Sequence, residues 1–451
     1  MSVEWQKYTL DEVCVKITDG AHNSPKSALV GKPMASVKDL TSFGIDLSNA
    51  RLIEINEFNK LVKQGCQPIV GDVVIAKDGN SALDTVCTID YPIDAVLLSS
   101  VAILRPDQKL LDSRYLKYYF NCKTVLDYLK SNFISGAAIP RVVLRDFKKA
   151  NINLPPLKTQ KKIAHILGTL DEKIELNNKM NKSLETMTQA IFKSWFVDFD
   201  PVKAKIKAIK NKQDPELAAQ KVIATVKPFL KQTPEKLRHI AGLFPSKLVN
   251  SELGLIPDGW GVKEAIDLIY LNRNSWTIRN HPEEVKYIDL ANTKNGCILE
   301  IQSFVWQEAP SRAKRKVFLG DTIIGTVRPA NRSFSHIFKS TEGLTASTGF
   351  AVLTPKLDLY RELIYFSSTL DSNFLRLKVL ADGGAYPAVN PRVISDYLIP
   401  FDIKIIKNFH DISNYILKKV GINQSENDTL SILRDTLLPQ LLSGELKAGL
   451  E

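Results

Sequence analysis

The chain has 451 residues, 44% apolar and 24% charged, too long for one hydrophobic core and too apolar for a disordered or fibrous protein. A formal charge of +11 permits a polyanionic partner without establishing one. No run reaches the roughly 18 apolar residues of a membrane span, residues 1–11 lack a signal-peptide core, and Cys14, Cys66, Cys87, Cys122 and Cys297 are scattered; the expectation is a cytoplasmic protein with no membrane partner and no metal site.

In chain order, residues 1–155 read as an α+β domain. Residues 18–26 (TDGAHNSPK) form a Gly- and Pro-marked loop, and the β-branched runs 72–76 and 101–104 read as strands. Residues 114–131 carry aromatic and Leu residues at spacings of three and four, a helical pattern. Residues 1–150 hold 19 basic and 17 acidic side chains, so the excess charge lies elsewhere.

Residues 156–200 change texture. Ile163, Ile166, Leu167, Leu170, Ile174, Leu184, Met187 and Ile191 trace a helical seam with no proline from 159 to 195, and Asn177 and Asn181 complete its three-four alternation. Buried asparagine costs stability but fixes register, because its amide needs a partner in the facing helix. Residues 201–250 follow with 11 basic and 3 acidic residues; they read as a helical basic linker whose lysines keep it soluble, nonspecific contact with phosphates being the alternative.

The second half repeats the first at a period near 248. Gly71-Asp72-Val73-Val74-Ile75-Ala76 returns as Gly320-Asp321-Thr322-Ile323-Ile324-Gly325, and Ser100–Pro106 as Gly349–Pro355. Ala35–Leu40 is echoed by Tyr287–Leu290, Trp5 by Trp260, and Leu154-Pro155 by Ile399-Pro400. Gly136–Pro140 with Arg141-Val142 matches Gly384–Pro387 with Arg392-Val393. Residues 251–400 are thus a second α+β domain. Residues 401–451 hold a second seam, Phe409, Ile412, Ile416, Val420, Leu430, Leu433 and Leu437, with Asn423 and Asn427 where the first has Asn177 and Asn181.

The fold class expected is α+β: two similar domains in a pseudo-two-fold arrangement, separated by an antiparallel coiled coil of two long helices. From Ile163 to Ile191 the seam covers about 42 Å at 1.5 Å per residue. That is about 12 base pairs of B-DNA, so twin modules on such a spacer suit a split target.

Leu154-Pro155-Pro156-Leu157, Gln160-Lys161-Lys162-Ile163-Ala164, Leu170-Asp171-Glu172-Lys173-Ile174 and Phe192–Phe199 closely resemble the central conserved region of type I restriction–modification specificity subunits. Residues 433–445 (LRDTLLPQLLSGE) resemble that family's carboxy-terminal region, and Thr18–His22 another of its patterns. The second copy lacks the Pro-Pro and Gln-x-x-Ile-Ala entry to its helix, which leaves the start of that helix open. The resemblance implies a non-catalytic DNA reader. Each target-recognition domain would bind one half of a bipartite duplex, and the helices would dock two modification (methyltransferase) subunits, with restriction/translocase subunits joining through the complex. S-adenosylmethionine, ATP and Mg would belong to those partners, with no cofactor in this chain. A coiled-coil scaffold that binds proteins without reading DNA is the alternative.

The residues agree through what they lack. Gly320–Thr326 has no P-loop lysine, the one Pro-Pro has aliphatic neighbours, and the pairs Asp402-Ile403-Lys404 and Glu445-Leu446-Lys447 are too short a signal for a nuclease. Direct base readout needs amide, basic and hydroxyl side chains on loops that enter a groove. In the first half these are His22, Asn23, Ser24 and Lys26, then Lys77, Asn80 and Ser81, then Arg141. In the second they are Arg273, Asn274, Trp276 and Arg279, the basic run Arg312, Lys314 and Arg315, then Arg328, Asn331, Arg332 and Arg392.

Overall fold

β-Branched runs between turn residues build the same sheet twice. The computed structural model describes residues 5–79, 81–136, 140–224, 233–384 and 386–446. Strands β1 (Cys14–Asp19), β2 (Val73–Ala76), β3 (Val86–Thr88) and β4 (Val101–Pro106) lie in the order β1-β4-β2-β3, every neighbour antiparallel. Strands β5 (Ile269–Leu271), β6 (Thr322–Gly325), β7 (Phe334–His336) and β8 (Phe350–Pro355) repeat that order as β5-β8-β6-β7.

A second motif recurs beside each sheet. Lys32–Ala35 pairs antiparallel with Arg51–Ile53 and parallel with Val96–Leu97. Glu284–Ile288 pairs antiparallel with Gln302–Val305 and parallel with Leu344–Ser347, and Ala313–Lys316 adds a fourth strand. The ends of each domain also meet: Gln6–Thr9 pairs with Asn151–Leu154, and Gly261–Glu264 with Leu398–Phe401. The duplication read from the sequence is thus a duplication of topology.

Both seams are helices. α1 runs Leu157–Phe196 and α2 runs Ile403–Ser443. Asp402 starts α2, its Oδ1 accepting from the N–H groups of Lys404 and Ile405 at 3.0 and 2.9 Å, which supplies the start that the sequence left open. The chain divides into two compact units, Met1–Asn177 with Glu426–Glu451, and Asn178–Ser425. Each unit therefore contains part of both helices, running antiparallel. In the first, Asp171 meets Arg434 and Asn177 meets Asn427. In the second, Asn181 meets Asn423 and Phe192 meets Phe409.

The asparagines are not equally satisfied. Asn177 donates to Glu426 Oε2 and Asn427 Oδ1, both at 2.9 Å, and accepts from Lys173 at 3.2 Å. Asn423 donates to Asn181 Oδ1 at 2.8 Å, but its own carbonyl oxygen is buried without a partner. We expect Asn423→Leu alone to destabilise the second unit by about 1–3 kcal/mol, because it strands the Asn181 amide. The Asn181→Leu/Asn423→Leu pair should recover that loss in thermal unfolding, since no unsatisfied amide remains; a double variant weaker than the single would refute the account.

Two expectations are corrected by the fold. The helix read over 114–131 is two helices, Ser113–Asn121 and Lys123–Phe133, broken at Cys122 (ψ 124°). Neither Gly nor Pro marks the break, and the continuous apolar spacing hides it. The helical basic linker 201–250 is packed rather than solvated over its described residues 201–224 and 233–250: helices Asp200–Lys210, Pro215–Ala224 and Pro234–Leu243, then a hairpin of Leu248–Ser251 with Gly254–Pro257. Val202, Ala219, Ile223, Leu237, Ile240, Ala241 and Phe244 pack into one core with Trp195, Phe196 and Trp260. Lys205 is itself buried, donating to Glu216 and to the Phe244 carbonyl, both at 2.6 Å. Lysines between those apolar positions made a packed subdomain look like a solvated tether.

Candidate nucleic-acid interface

In the first unit one end of the sheet gathers three of the expected side chains. Asp19, at the end of β1, accepts from Lys77 Nζ at 2.8 Å and pairs with His22 Nε2 at 3.1 Å. Lys77 is only 7% exposed, so it braces the β1 and β2 loops against each other. Asp78 lies 3.2 Å from Arg141 Nε. Two backbone bonds hold these loops together: Gly79 N–H to the Pro140 carbonyl, and Val142 N–H to the Lys77 carbonyl, both 2.9 Å.

Ser24 is tied down rather than loose. Arg51 donates to its Oγ at 2.7 Å and to the Pro25 carbonyl at 2.8 Å. Arg51 sits in a short strand with no loop signature, so sequence reasoning passed over it. Asn23 and Lys26 are exposed on the same loop, Ser81 is half-buried, and Asn80 lies outside the described residues.

The second unit gathers two groups. Residues 273–276 lie along 314–316: Trp276 N–H donates to the Lys314 carbonyl at 2.8 Å, and Lys316 N–H to the Asn274 carbonyl at 3.1 Å. The Trp276 indole donates to Thr345 Oγ1 at 2.8 Å under the Lys316 ammonium, 3.9 Å from the ring centre, so Trp276 is anchored. The Arg273 guanidinium stacks 4.7 Å from the Tyr270 ring. Arg279, Arg312 and Lys314 are exposed, and Arg315 is half-buried beside Ser275.

The other group surrounds the turn after β6. Arg328 N–H donates to the Pro387 carbonyl at 2.7 Å, and Val389 N–H to the Thr326 carbonyl at 2.9 Å. These are the same two bonds as in the first unit, so Gly79 corresponds to Arg328 and Val142 to Val389. That register corrects one match. Arg392, in the short helix Pro391–Ile394, stands where Leu144–Phe147 has Arg145, and the place of Arg141 is taken by Ala388. The shared Arg-Val dipeptide had concealed a shift of four residues. Arg392 lies 3.6 Å from Glu264, and Asn331 is exposed at the turn.

The twin sheets differ in one buried charge. Asp72 is paired with Arg105, Nε to Oδ1 at 2.8 Å and Nη2 to Oδ2 at 2.9 Å. Its counterpart Asp321 faces Thr354 where Arg105 would stand, and burial pushes its carboxyl up to about 6, partly offset by the Phe318 N–H, Thr354 and Arg273. A cleft of about 420 Å³ opens beside it, lined by Arg273, Phe318, Thr354 and Arg361 among others.

Among the described residues no group of His, Cys, Asp and Glu is placed to hold a metal ion, and no helix is long and apolar enough to cross a membrane. The geometry defines a class: a duplicated α+β chain in which each copy holds one loop pair on a common backbone frame, with a helix seam closed by asparagines. Residues 2–186 match the type I restriction modification DNA specificity domain. The HindI type I specificity subunit of Haemophilus influenzae is 26% identical over 98% of this chain and 100% of its own length. The MjaIX specificity subunit of Methanocaldococcus jannaschii is 25% identical over 74% of this chain and 69% of its own. A crystal structure of the S subunit of a type I restriction-modification system from M. genitalium, 13% identical, covers 98% of this chain and 96% of that one at a TM-score of 0.48. The chain is thus similar, over nearly its whole length, to type I restriction–modification specificity subunits.

Proposed function

We propose that this chain is the sequence-specific DNA-binding specificity subunit of a type I restriction–modification complex, each unit reading one half of a bipartite duplex target. The observation that carries the reading is the paired loop frame. The same two backbone bonds recur in both units, while the side chains mounted on them differ: Asp78, Gly79 and Arg141 in one, Val327, Arg328 and Ala388 in the other. A constant frame with variable side chains lets one fold read two different half-sites. The chain is the non-catalytic member of that complex.

The long helices would dock two modification subunits, with the restriction/translocase subunits joining through them. S-adenosylmethionine, ATP and Mg would be held by those partners, and the complex would act in the cytoplasm. Exposed apolar side chains on both helices, Leu176 and Met180 on α1 and Tyr415, Ile422 and Ile432 on α2, support a docking role for them.

The test exchanges residues 1–154 for the corresponding domain of a relative and maps methylated adenines in cells. One half of the target should change and the other stay; a change in both halves, or in neither, would refute modular reading. A salt titration of duplex binding by the assembled complex separates this from a protein scaffold. Phosphate contacts give a steep fall in affinity with salt, and a scaffold gives no such slope because it binds no duplex.

A further inference from the structure

We propose that Arg328, backed by Tyr386, is a base-reading side chain of the second unit, and that its partner is the major-groove edge of a guanine. The inference rests on the DNA-reading role above and names the residue that carries it. Arg328 has φ 47° and ψ 59°, a left-handed conformation that disfavours any residue with a Cβ. The equivalent corner of the first unit is Gly79, at φ 94°. Pro329 follows Arg328 and narrows its choices further. The second unit therefore keeps an arginine where its own fold favours glycine. Strain retained at an exposed loop corner points to a use for the side chain.

The surroundings show what that use requires. The guanidinium lies 4.5 Å from the ring centre of Tyr386, which is itself 70% exposed. Stacking on an aromatic face fixes the plane of the guanidinium, and its fork of N–H donors lies in that plane. A fork held in this way matches O6 and N7 of guanine.

Arg332 belongs to the same turn. It is also left-handed, at φ 55°. Its Nη1 donates to Asp371 at 2.7 Å, its Nε to Asn295 at 3.2 Å, and its guanidinium lies 4.4 Å from the Phe374 ring. Those contacts within the unit make Arg332 a brace for the turn that presents Arg328. In the first unit the arginine is on the opposite arm of the loop pair, at Arg141, so the two units are built to read different base patterns.

The experiment uses the assembled complex and duplexes carrying every single-base-pair change in the half-site of the second unit, at several salt concentrations. Arg328→Lys should keep the salt slope but lose about 10- to 100-fold of discrimination at one G·C pair, because an ammonium cannot make the bidentate contact. Tyr386→Ala should lose part of the same discrimination and Tyr386→Phe should restore it. Arg328→Gly should melt at or above the wild-type temperature while losing the discrimination. Full discrimination in Arg328→Lys at every position, or a lowered melting temperature in Arg328→Gly, overturns the assignment. If the wild-type complex itself shows no preference in that half-site, the DNA-reading proposal fails. If it does and Arg328→Lys matches it, only the role of Arg328 fails.

Discussion

Asp171→Ala is expected to destabilise the first unit by about 3–5 kcal/mol, the range for removing one partner of a buried ion pair. Asp171 Oδ2 accepts from Lys117 Nζ and from the Tyr118 hydroxyl, both at 2.8 Å, and Oδ1 accepts from Arg434 Nη1 at 2.8 Å. Burial alone would raise this carboxyl, but Lys117 and Arg434 outweigh it and hold the carboxyl below the ordinary range. Without the carboxylate, Lys117 stays 8% exposed with its charge unopposed. Arg434 is less affected, because it also pairs with Asp435 at 2.8 Å. The loss corresponds to a melting temperature lower by on the order of 10 °C for a unit of this size. The triple variant Lys117→Met/Asp171→Leu/Arg434→Met should regain most of it, since matched apolar groups remove the desolvation penalty together with the attraction. If the single and triple variants melt together, the cluster is not the buried charge network described.

This cluster also shows which features of the molecule can be read from its sequence. The two helices were legible because burial at every third or fourth residue writes a period into the chain, and the asparagines because they interrupt it in both copies. The duplicated sheet was legible through Gly-Asp turns before apolar strands. Burial of charge was not. Lys77, Lys117 and Lys205 look like surface residues in a string of letters, and only the partners Asp19, Asp171 and Glu216, up to 58 residues away, make them interior. The readout loops were located by their composition, but the correspondence between Arg392 and Arg145 needed the hydrogen-bond register. The twin units also diverge where no pattern warns of it: one strand position is Arg105 beneath Asp72 and Thr354 beneath Asp321.

The second unit, where that divergence leaves Asp321 without an arginine, responds to pH in a different window from the first. In the second, Asp321 is pushed up to about 6 and Glu185 to about 7, both by burial, the latter partly offset by the Tyr365 hydroxyl at 2.8 Å. A carboxyl raised in the folded state lends stability below its unfolded value near 4 and loses it as pH climbs through 6 to 7. His336 opposes them: buried against Tyr365 and Phe338, it is lowered to about 3, so it weakens the unit as pH falls below 6.5. At 1.36 kcal/mol per unit the two carboxyls gain about 4 kcal/mol between pH 8 and pH 5, and His336 loses about 2. The carboxyls win, and the second unit should be about 2 kcal/mol more stable at pH 5 than at pH 8. His410, raised chiefly by its bond to Glu362, adds in the same direction. The first unit responds in a lower window. The depressed carboxyl of Asp171 stabilises it above pH 4, and that contribution is lost as pH falls further. Calorimetry across pH 3 to 8 should resolve two transitions that respond in different windows, the second unit's between pH 5 and 8 and the first unit's below pH 4. Thr354→Arg, which recreates the Asp72–Arg105 pair beneath Asp321, should raise the upper-pH stability of the second unit and flatten its profile. Two transitions that shift together, or a Thr354→Arg profile as steep as wild type, would show that Asp321 and Glu185 do not set the slope.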